Sequence, residues 1–562
     1  MIKTVRQSIV ECNGRERAKQ LLDNGTFREL MGPFAGIESP HLEPQGIVPQ
    51  SDDGVIIAKG TLNTQSVVVI SIEGNFQGGG IGEVSGAKIS SALEMARRDC
   101  ENGVKTIPII LFDSGGVRLQ EANYGLLSIA EIGAAIVALR QYVPVIGIIP
   151  GNIGAFGGMS ITAGLCSALI MTRQGRLGLN GPEVIEQEAG VREFDSKNRQ
   201  LIWGTIGGNQ RTLIGYADIL TEDDTALIKE AVSSIICGEY VLQERTKQVD
   251  RYLSILESVN PTERMTPEEA RKLCNQATNI NMKKEKKNPE YEKSAGRGQT
   301  WFNLLRNGAE EIGTLPSVRV ADSMIGDQKV RYIAVVPDTH NRFPRAKKGE
   351  VGLLEGWTIA KHVREAIELD QDSEKRAIVA IVDVPSQAYG YHEELLGIHQ
   401  ACAAAVYAYA SARLAGHPVV SFIPGNAISG AFLSHGMQSN RLIALRDSGV
   451  NVHVMSKKSA ARITLRSLEE LEAATKKIPA MAYDIESFEK LGALFSLVDG
   501  VEAERPGQED LDLINNEIIR AIKDIEDSGN TDLSVRLTSS LAKSVGRKAS
   551  NLVIKMMEEQ WN

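Results

Sequence analysis

Short apolar runs recur along the chain with helix-length segments between them. TIPIILFD (106–113) and YVPVIGIIPGN (142–152) are nearly continuous apolar stretches, and the segment joining them has helical spacing of its apolar residues. This is the pattern of a β-α-β unit whose parallel strands are covered on both faces. The second half repeats it with RAIVAIVD (376–383), a long helical segment and HPVVSFIPGN (417–426). Gly86 of EVSGAKISSALEMA matches Gly356 of LLEGWTIAKHVREA, and Asp113 matches Asp383, both 270 residues apart. Gly151 and Gly425 of the two IPGN motifs are 274 apart, which places an insertion of about four residues in the second helical connection. One unit is used twice. Residues 283–300, KKEKKNPEYEKSAGRGQT, are charged and almost free of apolar side chains, the composition of a linker. The pattern predicts a domain over 1–282, closed by a helix from Pro267 to about Met282, and a second over 301–562, opened by Trp301.

Composition narrows the function. At 562 residues the chain exceeds what one core supports, so two domains are expected. A net charge of -9 argues against generic nucleic-acid binding. The cysteines Cys12, Cys100, Cys166, Cys237, Cys274 and Cys402 show neither CxxC nor a paired His spacing, so no disulfide framework or metal site is expected, and a reducing cytoplasm fits. The N-terminus lacks the apolar core of a signal peptide. Residues 126–150 approach the apolarity of a membrane span, but Glu131, Arg140 and Pro144 make a buried helix entering a strand the better reading.

Small residues cluster where buried strands end or helices begin: DSGGVRLQ (113–120) and PGNIGAFGGMSITAG (150–164), then DVPSQAYGYHEE (383–394) and PGNAISGAFLSHG (424–436). A helix start leaves N–H groups unpaired and carries positive potential, so two such groups converging on one oxygen make an oxyanion hole. The same glycines also suit tight strand-to-helix packing. Other motifs fail. GGGIGEVSGAK (78–88) has Ser85 where a dinucleotide loop needs its last glycine, and Ala87 parts Gly86 from Lys88, which breaks a P-loop. DSGG matches a protease nucleophile turn, but His41 is the only histidine before residue 340. G-x-S-x-G and H-E-x-x-H motifs are missing from the sequence.

SGGVRLQEA followed by GAFGGMSI resembles the carboxyltransferase β side of acyl-CoA carboxylases, within the crotonase-like superfamily. NRFPRAKKGEVGLLEGWTIAKHVREAI (341–367), DVPSQAYGYHEELLGIHQACAAAVYAYA (383–410) and FIPGNAISGAFLSHGMQSNRLIAL (422–445) resemble the γ subunit of malonate decarboxylase. The first half, including GPFAGIESPHLEPQGIVPQSDDGVIIAKG (32–60), resembles its β subunit, so the chain reads as a β-γ fusion. The fold implied is α/β, two tandem crotonase-like (ClpP/crotonase) domains built from repeated β-β-α units. The activity implied is decarboxylation of a malonyl thioester on an acyl carrier protein to the acetyl thioester and CO2. The cofactor expectation is that nothing is bound covalently, the substrate riding on the carrier's phosphopantetheine-type group. The partners implied are the carrier protein and a malonate/acetyl carrier transferase subunit, with the two domains pairing within a chain or between chains, and with no nucleic acid and no membrane.

Carried onto this sequence, the resemblance makes Gly115, Gly116, Gly157 and Gly158 the expected oxyanion donors. Gln387, Ala388, Ser429 and Gly430 would form a second pocket that cradles the departing carboxylate or CO2. Arg118 either holds the malonyl carboxylate or pairs with Glu121 at i,i+3. Tyr389, Tyr391 and His392 are candidates to protonate the acetyl carbanion, or, for His392, a solvated loop residue. Arg342, Arg345, Lys347 and Lys348 either meet phosphates or form a solvated charged face. Which of Gly115, Gly116 or Val117 gives the first N–H stays open. The alternatives are carboxyl transfer to or from biotin on a partner, and a non-catalytic scaffold of such a complex. MKK (282–284) and IKMM (554–557) do not match a biotin-acceptor MKM motif.

Overall fold

Strands form where the apolar runs lie, because a strand covered on both faces needs no polar side. The structure, a computed structural model, describes residues 6–276, 296–463 and 467–562. Most of the expected linker and the end of the helix expected before it fall outside the described residues; Arg297 begins the helix Arg297–Leu305.

The described residues pack as two units. Unit one draws on Met1–Arg245, Thr266–Asn275 and Ala549–Asn562, and unit two on Thr246–Met265 and Gln276–Lys548. The units therefore do not coincide with the two sequence halves. In unit two, the helix Val249–Glu257 stacks Tyr252 on the buried Trp357, ring centroids 4.6 Å apart, and Arg342 donates to the carbonyls of Glu257 and Val259 at its C-terminal end. In unit one, the indole N–H of Trp561 donates to Asp99 at 3.0 Å, and the N–H of Ser550 donates to Glu83 at 3.0 Å.

Unit one holds β1 (Arg28–Leu30), β2 (Val55–Leu62), β3 (Gln65–Ile72), β4 (Ile107–Leu111), β5 (Ile146–Ile149), β6 (Ala168–Thr172) and β7 (Ile219–Thr221), in that order across one sheet. The pairs β1–β2 and β2–β3 are antiparallel, and every later pair is parallel. Unit two holds β8 (Val318–Ile325), β9 (Gln328–Val335), β10 (Ala377–Ile381), β11 (Val419–Ile423), β12 (Ala427–Ile428), β13 (Arg441–Leu445), β14 (Val452–His453) and β15 (Ser496–Val498). Its main sheet runs β15-β13-β11-β10-β9-β8, with β8–β9 antiparallel and the rest parallel, and β12 pairs with β14. An antiparallel hairpin feeding a parallel run thus occurs twice, and β4 and β10 keep the spacing of 270 at both ends. These are two tandem crotonase-like α/β units, as the sequence led us to expect.

The matched glycines have matched causes. A Cβ on Gly86 in the helix Glu83–Glu101 would lie 2.2 Å from the Cβ of Ser128 in the helix Ala122–Leu139, and one on Gly356 would lie 2.8 Å from the Ala401 backbone. Each glycine marks a helix crossing too close for any side chain. The segment Leu119–Leu139 is long and apolar enough to cross a membrane, yet it is mostly buried within unit one, as a helix leading into β5.

Candidate functional site

Asp113, just past β4, organises the first turn. Its buried carboxylate accepts from Arg17 at 2.8 Å and from the N–H groups of Ile153 and Gly154, which ties the loop after β5 to the end of β4. Ser114 continues the tie: its N–H donates to Gly154, and its carbonyl accepts from Phe156. The result is a cradle of backbone held by a single carboxylate and a short bridge.

Within that cradle the N–H groups divide into occupied and open. Gly115 donates to the carbonyl of Gly78 at 2.8 Å, Gly116 to Ser114 Oγ at 3.1 Å, and Gly157 to Leu179 at 3.0 Å. The carbonyl of Gly116 and the N–H of Arg118 both engage Ile81, which turns the intervening Val117 N–H the other way. Val117 and Gly158, the first residue of the helix Gly158–Leu165, have no acceptor for their N–H among the described residues. Of the four glycines expected as donors, Gly158 alone keeps an open N–H. Val117, left open in the sequence, is the second.

Two glycines bring these donors together. Gly116 has φ +108°, and Gly157 has φ +53° with ψ −143°, a combination open to glycine. A Cβ on Gly116 would meet Gly157 Cα at 3.0 Å; one on Gly157 would meet Gly116 Cα at 3.2 Å and lie 3.9 Å from the Val117 nitrogen. The glycines are spacers, and their neighbours hold the donors. The helix start adds positive potential to the Gly158 end.

Arg118 is buried and committed. Nη1 reaches Asp53 and Glu121, each at 2.6 Å, so the i,i+3 pairing is the geometry found. Glu121 and Asp53 in turn accept from the N–H groups of Glu83 and Ser85 at a helix start. Burial pushes the Asp53 carboxyl up to about 6, against the pull of Arg118. A cation that the sequence reading missed is Arg176, which donates to the carbonyls of Asn152 and Ile153 beneath the Gly157 turn. A lone arginine after a strand carries no motif to flag it.

In unit two the same backbone scheme recurs with different contents. Asp383 accepts from Asn426 and Gly298, each at 3.0 Å, and Val384 donates to Asn426. The bridges Ile81–Val117 and Ser114–Ala155 have counterparts in Val351–Gln387 and Val384–Ala427. Ser429 takes the left-handed conformation, φ +62°, where unit one has Gly157. The N–H of Gly430 is filled, because it donates to Gln387 Oε1 at 3.0 Å. Ala388 donates to Val351 and is buried.

The remaining candidates lie elsewhere in unit two. Tyr391 donates its hydroxyl to the Met265 carbonyl at 2.9 Å, and His392 Nε2 accepts from the Met265 N–H at 3.2 Å. Both therefore anchor the 246–265 segment, with Arg264 stacked on the Tyr391 ring at 3.9 Å. Tyr389 is half-buried beside the turn. Arg342 caps the helix Val249–Glu257, Arg345 is half-buried against Gly390, and Lys347 and Lys348 are exposed.

A duplicated crotonase-like α/β unit with backbone N–H groups open at one glycine-spaced turn defines the class. A profile described as malonate decarboxylase gamma subunit matches residues 346–561. Among curated proteins, a malonyl-S-ACP:biotin-protein carboxyltransferase of Malonomonas rubra, MADC, is 41% identical over 240 residues, covering 41% of this chain and 76% of that protein. A second one, MADD, is 39% identical over 200 residues, covering 35% of this chain and 68% of that protein. Among solved structures, a chain of a Pseudomonas malonate decarboxylase hetero-tetramer in complex with malonate is 51% identical, covering 48% of this chain and 98% of that one, with a TM-score of 0.47. The chain belongs to the malonate decarboxylase family of carboxyltransferase-like proteins, with the γ-subunit region in its second half.

Proposed function

We propose that this chain removes CO2 from a malonyl thioester carried on the phosphopantetheine-type group of an acyl carrier protein, leaving the acetyl thioester. Breaking the bond between the malonyl methylene carbon and the carboxylate leaves an enolate whose charge sits on the thioester oxygen. The N–H groups of Val117 and Gly158 receive that oxygen, and the open state of this pair is the observation that carries the reading. Removing one donor from such a hole typically costs about 2.7–4 kcal/mol of barrier. The names of the Malonomonas relatives support a malonyl thioester on a carrier protein as the substrate class. The partners are then that carrier and a subunit that moves malonate onto it.

Purified protein given a malonyl thioester and a competent carrier is expected to release CO2 with no sensitivity to avidin; no release sinks the reading. A second reading, transfer of the carboxyl group to biotin on a partner, is favoured by the names of the same two relatives. It requires avidin inhibition and dependence on a biotinylated protein.

A further inference from the structure

Loss of CO2 leaves a methylene carbon that must take up a proton, and Tyr391 and His392, two of the side chains expected to give it, are spent on Met265. Unit one holds a histidine that the chemistry so far leaves unused. His41, in the turn ahead of β2, brings its Nε2 to 2.6 Å from Glu83 Oε2. Glu83 is buried, and its other oxygen accepts from the N–H and the hydroxyl of Ser550 at 3.0 and 3.2 Å. A carboxylate only accepts, so Nε2 carries the hydrogen of the bond to Glu83. The imidazole packs on Tyr124 with ring centroids 4.1 Å apart, and the His41 side chain keeps 16% exposure. Nδ1 has no partner among the described residues. A carboxylate thus orients the ring through one nitrogen and leaves the other to exchange a proton.

The pair is tied to the open donor turn from two sides, all within unit one. Glu83 lies two residues after Ile81, the bridge partner of Val117, and its N–H donates to Glu121 at 3.2 Å. Gln45 Nε2 donates to the carbonyls of His41 and Gln120, each at 2.8 Å, and Gln120 lies three residues after Val117. His41 is therefore fastened to both segments that shape the Val117 N–H. We propose that His41 is the catalytic residue that protonates the acetyl carbanion, with Glu83 as the positioning residue that holds its ring. This rests on the decarboxylase reading above. When the bond from the malonyl methylene carbon to the carboxylate breaks, its electron pair passes into the enolate and CO2 leaves. The imidazolium of His41 then gives its Nδ1 proton to the methylene carbon, which becomes the acetyl methyl group, and the neutral ring keeps its Nε2–H on Glu83. A solvent proton restores Nδ1–H.

Without its proton donor the enolate survives longer and recaptures CO2, which is the basis of the test. The full chain is given a malonyl thioester on a competent carrier together with 13C-labelled CO2 and bicarbonate, and the readout is the ratio of label entering the remaining malonyl thioester to acetyl thioester formed. His41→Gln is expected to lower net CO2 release by about tenfold or more and to raise the ratio by about tenfold or more. His41→Ala gives the same test should the glutamine variant fail to fold. Glu83→Gln is expected to move the ratio in the same direction by a smaller factor, and an unmoved ratio there removes its positioning role. A ratio within twofold of wild type in the folded His41 variants overturns the proposal even where release is slowed, because a histidine that only secures its loop would slow bond breaking and leave the partition unchanged. Wild-type protein that releases no CO2 sinks the decarboxylase reading itself, whereas release with an unmoved ratio removes only the role of His41.

Discussion

Gly158→Pro isolates the proposed donor. Gly158 is the first residue of its helix, where proline's fixed φ and missing N–H are tolerated. Its N–H has no acceptor among the described residues, so the folded protein loses no hydrogen bond, and stability should stay within about 1 kcal/mol of wild type. The preceding Gly157 has extended ψ and no Cβ to clash with the ring. Turnover is a different matter. One oxyanion donor is worth about 2.7–4 kcal/mol, so kcat for malonyl thioester decarboxylation should fall by about 10²–10³, with a smaller change in KM because the substrate carbonyl is neutral before CO2 leaves. Gly158→Ala keeps the N–H and should stay within about tenfold of wild type. Kinetics on both variants, alongside their melting curves, decide the matter. Proline turnover within about tenfold of wild type refutes the reasoning, and so does an alanine variant that falls as far as the proline one. Gly116→Ala is a poorer probe, since its Cβ meets Gly157 Cα at 3.0 Å and the Phe156 carbonyl at 3.1 Å at a φ of +108°. That strain costs about 1–3 kcal/mol of stability and blurs a catalytic effect with a folding one.

Asp113→Ala leaves Arg17 buried without its carboxylate and frees the loop after β5, so denaturant melts should show a loss of about 3–5 kcal/mol. Lys88 is fully buried and donates to the carbonyls of Met31, Asp52 and Val55, and burial pulls its ammonium from 10.5 down to about 8. Because the folded state disfavours the charged form, this group's contribution is present above the unfolded value and lost as pH falls through about 8. Wild type should therefore gain about 3 kcal/mol relative to Lys88→Met between pH 8 and 10.5, and a flat difference across that window in denaturant melts contradicts it. Tyr391→Phe removes the bond to the Met265 carbonyl and should cost about 0.5–1.5 kcal/mol in melts, with turnover within about threefold; a collapse in kcat would return Tyr391 to the chemistry.

Much of the fold is visible in the letters, and the reason is burial. TIPIILFD and RAIVAIVD read as strands because a strand covered on both faces is apolar throughout, and β4 and β10 lie inside those runs. The repeat is legible in Gly86 and Gly356 because each meets a helix too closely for a side chain, a demand that one residue type satisfies. The small segments 246–265 and 549–562 were not legible. Their attachment rests on scattered long-range contacts, such as Tyr252 on Trp357, Arg342 on the carbonyls of Glu257 and Val259, and Trp561 on Asp99, which leave no periodic trace. The site was legible as a place but not as a set of donors. Glycine letters mark where backbones touch, whereas an open N–H is defined by the carbonyls that fail to reach it, and Gly78 and Leu179 take the N–H groups of Gly115 and Gly157 from far along the sequence.

The two turns show how a duplicated frame can hold unlike sites. What repeats is what the backbone needs: an aspartate at the strand end accepting from the next loop, a parallel bridge on either side, and a residue of positive φ at the helix start. None of these contacts uses the side chain at position 117 or 387, so that side chain is free to differ without cost to the frame. A valine there leaves the neighbouring donor to a ligand, and a glutamine, long enough to fold back and able to accept, takes it. The glycine pair follows the same logic. Unit one needs Gly116 against Gly157 because its two open N–H groups flank that contact, whereas unit two, with its donor filled from within, carries Ser386 and Ser429 at those places and tolerates a Cβ at each. The difference between an open and an occupied turn thus comes down to one acceptor atom.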